Sequence, residues 1–284
     1  MTFNNFINLI RYKSYLKNLI IFLPLFLNYS SWSVTNYGKL ILPIMFFSFL
    51  ASSIYIINDI IDLEIDKKHK FKKFRPVASG LVKSKIAAYI SFCLALISFL
   101  YFFKFTDFKI FILVILYFVL NIIYSGLIKK IKYLDILIVS SGFFIRIYIG
   151  SILSSLTISN FFISQIILFS LFILICKRRE DFYSYDNKIV SKYTLRQLNV
   201  LSKLFLILNI LNYFIYFFYG QRFTNSFSLE ISLLIFTLLI IRYFYINFKN
   251  KSFDPISIYL KDLYLILLSF IYFFNFILGF YGFY

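Results

Sequence analysis

The chain alternates long apolar segments with short polar connections. Nine segments are each close to the ~20 residues that a helix needs to cross a bilayer. They lie near residues 17–35, 39–58, 85–104, 108–126, 134–153, 159–176, 199–219, 228–247 and 262–282. The segments are continuously apolar, whereas a membrane β-barrel needs alternation. The pattern therefore predicts an all-α fold, a polytopic membrane bundle of about nine transmembrane helices. No Pro- or Gly-rich linker separates them, so we expect one domain over residues 1–284.

Composition supports a membrane protein. Hydrophobic residues make up 61% of the chain and charged residues 15%, with 40 Phe and 24 Tyr. Soluble domains are nearer half apolar and a quarter charged. The two cysteines, Cys93 and Cys176, lie in or at the end of apolar segments, which excludes a disulfide framework and a zinc-ligand spacing. The single His69 cannot form a histidine metal site.

Basic residues are concentrated on one side of the predicted bundle. The net charge is +18, from 30 Lys and Arg against 12 Asp and Glu. The N-terminal segment and every second connection, with their flanking turns, carry 24 of the 30 basic residues. Cytoplasmic loops of membrane proteins are enriched in this way, so the charge does not call for a nucleic-acid partner. We expect the N-terminus on the cytoplasmic side of a bacterial inner membrane, the C-terminus outside, and contacts with membrane lipids.

An acidic stripe ends the second apolar segment. At about 100° per residue, Asn58, Asp59, Asp62 and Asp66 fall within roughly a quarter of the helix circumference, and Glu64 falls outside it. Closely spaced carboxylates repel each other unless a cation lies between them, and Mg²⁺ prefers such oxygen ligands. Asp59, Asp62 and Asp66 are therefore the predicted catalytic and metal-binding residues. The alternative is a solvated helix end that offsets the neighbouring lysines.

A dense cationic loop follows the stripe at residues 67–75. Lys73 and Arg75 belong to it, and Pro76 fixes the chain directly after the arginine. Lysine and arginine beside a carboxylate–metal site are suited to binding a diphosphate. The alternative is a loop whose positive charge only sets the orientation in the membrane.

A second polar set lies around the fifth segment. Asp135, Arg146 and two glycines, Gly142 and Gly150, share one face of the predicted helix. An arginine this deep in a membrane is unfavourable unless it is paired or lines a wet cavity. Arg146 therefore either binds substrate or forms a structural ion pair, with Asp135 as one possible partner.

Further basic residues lie at the ends of other segments. Lys129 and Lys130 follow the fourth segment, Lys177 and Arg178 end the sixth, and Lys17 lies at the start of the first. Each is either a cytoplasmic anchor or a phosphate-binding residue.

These motifs resemble the UbiA-type intramembrane prenyltransferases. Asn58, Asp62 and Asp66 match the family signature N-D-x-x-D-x-x-x-D. The chain is similar to one branch in particular, the decaprenyl-phosphate phosphoribosyltransferases. The matching positions are Lys17-Asn18, the run from His69 to Gly80, Tyr124-Ser125, Asp135 to Gly150, Lys177-Arg178 and Asp254-Pro255 with Asp262. Prenylating members usually carry a second D-x-x-x-D, but Val139 stands where its last acid would be.

The resemblance implies a Mg²⁺-dependent transfer of 5-phosphoribosyl from 5-phosphoribosyl 1-diphosphate to a polyprenyl phosphate. In the family such products feed arabinofuranose donors for the cell envelope. The implied substrate-binding residues are Lys17, Asn58, Lys73, Arg75, Tyr124, Lys129, Lys130, Asp135, Arg146, Lys177 and Arg178. A homo-oligomer is a further expectation. Two alternatives stay open: a prenyltransferase that joins a prenyl diphosphate to an aromatic acceptor, and a non-enzymatic transporter or lipid-binding protein.

Overall fold

The computed structural model describes residues 3–26, 34–68, 72–184, 192–219, 226–249, 258–259 and 261–281. Within these ranges every regular element is helical, which confirms the all-α fold class. His69, Asp254-Pro255 and the last three residues lie outside the described ranges. The chain forms two compact units, Met1–Thr157 and Ile158–Tyr284, and each is described by itself. The single domain over the whole chain stays a prediction.

The described residues of the first unit form seven α-helices. They are α1 (Phe3–Leu9), α2 (Leu23–Phe26), α3 (Val34–Ile61), α4 (Leu63–Lys67), α5 (Ser84–Phe105), α6 (Phe108–Gly126) and α7 (Leu134–Leu153). Three 3₁₀ helices accompany them, at Tyr12–Phe22, Lys72–Phe74 and Ile128–Lys130. The second unit contains α8 (Asn160–Ser184), α9 (Leu195–Tyr219), α10 (Ser226–Lys249) and α11 (Leu263–Tyr281).

Seven helices in the described ranges are long and apolar enough to cross a membrane. They lie at Gly38–Ile61, Ser84–Phe105, Phe108–Gly126, Leu134–Leu153, Asn160–Phe182, Leu195–Tyr219 and Glu230–Lys249. These match the second to the eighth predicted segments. An additional apolar stretch, Leu263–Asn275, is shorter. The predicted count of nine is not confirmed and stays a prediction.

The first predicted segment begins differently from a regular membrane helix. Residues Tyr12–Phe22 form a 3₁₀ helix, which continues into the short α2, and residues 27–33 lie outside the description. We call Tyr12–Phe22 the N-terminal 3₁₀ segment. It packs against α3 and α7. The hydropathy of this segment indicates that it is apolar and does not specify the type of helix that it forms.

Helix α3 lies at the centre of the first unit. Its side chains Phe47, Leu50 and Ile54 are almost fully buried in an apolar core shared with α5, α6 and α7. Small polar residues allow close packing of α3 on α5, where Ser53 and Ser91 are hydrogen-bonded at 2.9 Å. On the outside of α5, large apolar side chains such as Tyr89 and Phe103 are exposed. This arrangement of a buried central helix and apolar outer faces suits a lipid environment.

Amide side chains join the helices of the second unit. Gln165 of α8 donates to Asn209 of α9 at 3.0 Å, and Asn212 of α9 donates to Gln165 at 2.8 Å. Hydrogen bonds of this kind hold helices together where apolar surfaces alone give no preference over lipid. They fix the pairing of α8 with α9.

Candidate active site

The acidic stripe lies where α3 ends. The helix stops at Ile61, and α4 starts at Leu63, so a single residue, Asp62, separates them. Helical hydrogen bonds nevertheless continue through this point. The Asp62 amide donates to the Asn58 carbonyl at 2.9 Å, and the Asp66 amide donates to the Asp62 carbonyl at 2.8 Å. The predicted periodicity is therefore kept across the break.

Burial separates the stripe from its neighbours. Asp59, Asp62 and Asp66 are 2%, 5% and 1% exposed, whereas the Glu64 side chain is 75% exposed. Glu64 accepts a hydrogen bond from Lys67, which holds the pKa of the Glu64 carboxyl below its ordinary value. The structure thus places three carboxylates on the buried side and one on the exposed side, as the periodicity predicts.

Basic side chains neutralise all three buried carboxylates. Arg75 donates to Asp59 at 3.0 Å and to Asp66 at 2.6 Å. Arg11 also donates to Asp59, and Lys129 donates to Asp62. Asn58 adds a hydrogen bond of 3.1 Å to Asp62. We call the three carboxylates and the three cations, Arg11, Arg75 and Lys129, the charged cluster.

Arg75 is held by the turn that follows it. Its carbonyl accepts hydrogen bonds from the amide and the hydroxyl of Ser79, both at 2.8 Å. Pro76 is buried, and Val77 and Val82 pack in a small apolar cluster with Ile56 of α3. The Arg-Pro pair therefore anchors the turn on α3 and directs the guanidinium towards the stripe.

Arg11 also belongs to the charged cluster, although the sequence did not indicate its membership. It precedes the N-terminal 3₁₀ segment and has left-handed backbone angles, with φ at 52°. Its guanidinium lies over the Tyr55 ring at 5.2 Å while it binds Asp59. Burial lowers the pKa of the Arg11 guanidinium from its ordinary value, although an arginine stays charged. In the sequence, Arg11 is one basic residue among several near the N-terminus.

The stripe provides donors suited to a hard divalent cation, but it is not a preformed metal cage. The Asp66 Oδ1 atom is buried and has no hydrogen-bond partner, so one carboxylate oxygen remains available for a ligand. Among the described residues, however, no three His, Cys, Asp or Glu side chains are grouped closely enough to hold a metal ion. The donor chemistry fits the predicted metal, and the assignment of all three aspartates as its ligands stays a prediction.

Arg146 donates hydrogen bonds to uncharged partners inside the first unit. It is 5% exposed and donates to Asn18 at 2.9 Å, to the Gly142 carbonyl at 2.7 Å and to the Tyr117 hydroxyl at 2.7 Å. Asp135 lies 11 residues earlier on the same helix, about 16 Å away along the axis. The suggested Asp135–Arg146 pair is therefore wrong. These hydrogen bonds instead connect the N-terminal 3₁₀ segment to α6 and α7.

The structure brings only some of the predicted residues to the charged cluster. Asp135 is fully buried in the first turn of α7, and Tyr124 is half-buried near the end of α6. Lys17 and Lys73 are exposed, and Lys130 ends the 3₁₀ helix Ile128–Lys130. Within the described ranges, the ion pairs to the three aspartates come from Arg11, Arg75 and Lys129.

The basic run of the second unit contains a structural arginine. Arg179 is 4% exposed and donates to Asn199 of α9 at 2.9 Å and to the Asn247 carbonyl of α10 at 2.6 Å. Arg178 pairs with Asp181 at 3.1 Å, and Lys177 is half-buried. The sequence singled out Lys177 and Arg178, whereas the residue that joins three helices is Arg179.

The helices and the buried charged cluster define an integral membrane protein with polar chemistry at the end of a central helix. The UbiA prenyltransferase family model matches residues 19–252, so the chain belongs to that family. This match confirms the family that the aspartate motif indicates.

Named relatives match most of the chain. A decaprenyl-phosphate phosphoribosyltransferase from Mycolicibacterium smegmatis is 27% identical, and the alignment covers 90% of this chain and 86% of that protein. A protein of the same name from Mycobacterium tuberculosis is 26% identical over 82% of this chain and 78% of its own length. A UbiA homologue from Archaeoglobus fulgidus, solved with GPP and Mg²⁺, has a TM-score of 0.71 at 13% identity, with 98% of each chain covered. The last similarity shows the shared fold.

Proposed function

We propose that the protein transfers a 5-phosphoribosyl group from 5-phosphoribosyl 1-diphosphate to a polyprenyl phosphate and releases diphosphate. The observation that carries this proposal is the similarity along most of the chain to enzymes named for this transfer. The charged cluster is consistent with it, because it places arginine and lysine side chains beside three buried carboxylates. Both substrates carry phosphate groups that such cations bind.

The chemistry requires stabilisation of a leaving group. The bond between ribose C1 and the diphosphate oxygen breaks, and the electron pair leaves with diphosphate. A new bond forms between C1 and an oxygen of the lipid phosphate. That oxygen is already anionic, so no strong general base is needed. Asp59, Asp62 and Asp66 would hold Mg²⁺, which would supply charge neutralisation for the departing diphosphate.

The cations of the first unit then have separate tasks. Arg75 and Lys129 already bind the carboxylates, so they lie beside the stripe, where we expect the diphosphate to bind. Lys73 and Lys130 are neighbours of these two residues in sequence, and we assign them to the outer phosphates. Asn58 orients Asp62 through its hydrogen bond.

The remaining predicted residues are assigned by chemistry. Lys17, Lys177 and Arg178 are further candidates for the 5-phosphate or the lipid phosphate, and Tyr124 and Asp135 for the sugar hydroxyls. Arg146 is better suited to a positioning role, because its three hydrogen bonds already engage Asn18, Gly142 and Tyr117. It holds the N-terminal 3₁₀ segment, which follows Arg11.

The cellular setting follows the charge distribution. We place the protein in a bacterial inner membrane, with the N-terminus and the charged cluster on the cytoplasmic side and the C-terminus outside. The product would serve as a precursor of arabinofuranose donors for the cell envelope. The single-domain organisation and a homo-oligomer belong to the same proposal.

One observation favours a second candidate function. The fold is shared with a UbiA homologue that was solved with GPP and Mg²⁺, so a prenyl diphosphate donor with an aromatic acceptor is the alternative. Val139, at the position of the missing second-motif acid, and the named relatives favour the phosphoribosyl donor.

The decisive experiment is a reconstituted reaction. Purified protein would be incubated with Mg²⁺, 5-phosphoribosyl 1-diphosphate and a polyprenyl phosphate, and the lipid fraction analysed by mass spectrometry. We expect a phosphoribosylated lipid, formed about a hundredfold or more slowly when Asp62→Asn replaces the wild type. Absence of this lipid from the wild-type reaction, with correctly folded protein, contradicts the proposal.

A further inference from the structure

Arg11 occupies a position that only long-range packing can create. It lies 48 residues before its partner Asp59 and is the residue at which the chain turns, with left-handed φ and ψ of 52° and 50°. Such backbone angles are unfavourable for a residue other than glycine, and they persist where the surrounding structure enforces them. Here they direct the guanidinium towards the stripe.

Several contacts enforce this placement. The Ser52 hydroxyl donates to the Ile10 carbonyl at 2.7 Å, and Tyr15 is hydrogen-bonded to Ser52 at 2.9 Å. Asn18 donates to Ser48 at 2.9 Å and accepts from Arg146. The chain on both sides of Arg11 is thus fastened to α3, and the guanidinium remains on Asp59.

The charged cluster is neutral as it stands. Three cations, Arg11, Arg75 and Lys129, face three carboxylates, and Asp59 accepts from two guanidinium groups at the same oxygen. A divalent cation on Asp59 would stand next to both guanidinium groups. The divalent cation and the guanidinium groups would repel each other. The repulsion is relieved only if a guanidinium leaves the carboxylate and an anion binds.

We propose that Arg11 exchanges partners during the reaction cycle: it binds Asp59 in the free protein and the donor's diphosphate when metal and donor are bound together. Arg11 therefore competes with the metal for Asp59 and afterwards contributes to donor binding. This inference rests on the proposed function, since it assumes that metal and diphosphate bind at the stripe. It adds a substrate-binding residue to the predicted set and makes metal binding depend on the donor.

The exchange predicts effects of opposite sign in the Arg11→Ala variant. Mn²⁺ binding to the purified protein, measured from the electron paramagnetic resonance signal of free Mn²⁺, should become tighter, because Asp59 loses a competing cation. Binding of inorganic diphosphate at saturating Mn²⁺, measured by equilibrium dialysis with labelled diphosphate, should become weaker. We expect about a tenfold change in each, the size given by one charge-assisted hydrogen bond. A residue with a purely structural role would weaken both.

Lys13→Ala is the matched control. Lys13 is an exposed residue of the N-terminal 3₁₀ segment, so its removal changes the net charge equally without touching the charged cluster. This variant should bind Mn²⁺ and diphosphate as the wild type does, and Arg11→Lys should lie between the wild type and Arg11→Ala. Thermal unfolding midpoints of the variants show that each is folded.

The outcomes separate this inference from the proposed function. Tighter Mn²⁺ binding together with weaker diphosphate binding supports the exchange, and any other pattern in folded Arg11→Ala overturns it. The probes are the metal and inorganic diphosphate, so the result does not depend on which group the donor carries. If the exchange is right and the proposed function is wrong, Arg11→Ala would still bind Mn²⁺ more tightly and diphosphate more weakly. The wild-type protein would then make no phosphoribosylated lipid.

Discussion

Gly150 marks the tightest contact between α7 and the N-terminal 3₁₀ segment. A Cβ atom at this position would lie 2.1 Å from the Ile21 carbonyl oxygen, and ordinary van der Waals contact begins near 3.4 Å. Because the obstacle is backbone, the two segments must separate by about 1.3 Å, the difference between these distances. The hydrogen bond of 2.9 Å from Arg146 to Asn18 lies one helical turn away and would be lost.

Two costs combine in the Gly150→Ala variant. Overpacking costs about 1–3 kcal/mol, and the lost hydrogen bond of a charged group costs about 1.5–3 kcal/mol. The free energy of unfolding should therefore fall by about 2.5–6 kcal/mol, which corresponds to a lowering of the unfolding midpoint by roughly 10 °C. Circular dichroism at increasing temperature in detergent measures this change. Phosphoribosyl transfer should fall as well, since the displaced segment carries Arg11 away from Asp59.

Gly38→Ala provides the comparison. Nothing lies within 4 Å of a Cβ atom at Gly38, which is exposed on α3. Alanine is favoured over glycine in a helix by about 1 kcal/mol, so this variant should be as stable as the wild type or slightly more stable. An unfolding midpoint of Gly150→Ala within 2 °C of that of Gly38→Ala would refute the packing argument.

Three further predictions concern the stripe, the topology and the donor. Asp62→Asn should lower turnover by about a hundredfold or more, because neutralising the leaving group is worth several kcal/mol, while Glu64→Gln should be mild; equal losses in an activity assay would contradict the separation of the two residues. A cysteine at Lys73 should react with an impermeant reagent from the cytoplasmic side only, and labelling of intact cells from outside would reverse the orientation. Lys130→Ala and Arg178→Ala should chiefly raise the donor KM in steady-state kinetics, and an unchanged KM with a lowered kcat would remove these residues from phosphate binding.

Local features of the site could be predicted from the sequence. The burial of Asp59, Asp62 and Asp66 and the exposure of Glu64 follow from helical periodicity over nine residues, and the helix break at Asp62 does not disturb them. Arg75 could be found in the same way, because Pro76 follows it and the stripe is only nine residues away. Such short-range relations depend on chain geometry alone.

Long-range partners could not be predicted. Arg11 meets Asp59 only because the chain on either side of it is hydrogen-bonded to α3, and nothing in its own sequence neighbourhood indicates this. The sequence leaves Arg146 open between substrate binding and an ion pair, whereas in the structure it donates to an amide oxygen, a carbonyl and a hydroxyl, with Asn18 contributed from 128 residues away. Charge and hydropathy indicate that a buried arginine needs hydrogen-bond partners. Which residues become those partners depends on how the helices pack.

The 3₁₀ geometry of Tyr12–Phe22 was also beyond the reach of hydropathy. An apolar segment predicts that a stretch is buried in the membrane or the bundle. It does not specify the backbone geometry or the close approach to α7, where the missing side chain of Gly150 admits the Ile21 backbone.

The central claim is tested most directly by offering both donors at once. Purified protein in proteoliposomes would receive Mg²⁺, polyprenyl phosphate, an aromatic acceptor, 5-phosphoribosyl 1-diphosphate labelled in the ribose with ¹⁴C, and a prenyl diphosphate labelled with ³H. We predict that ¹⁴C enters the lipid phosphate fraction with release of an equal amount of diphosphate, and that no ³H enters the aromatic acceptor. Transfer of ³H to the aromatic acceptor without ¹⁴C in the lipid would contradict the phosphoribosyl assignment and favour the prenyltransferase alternative.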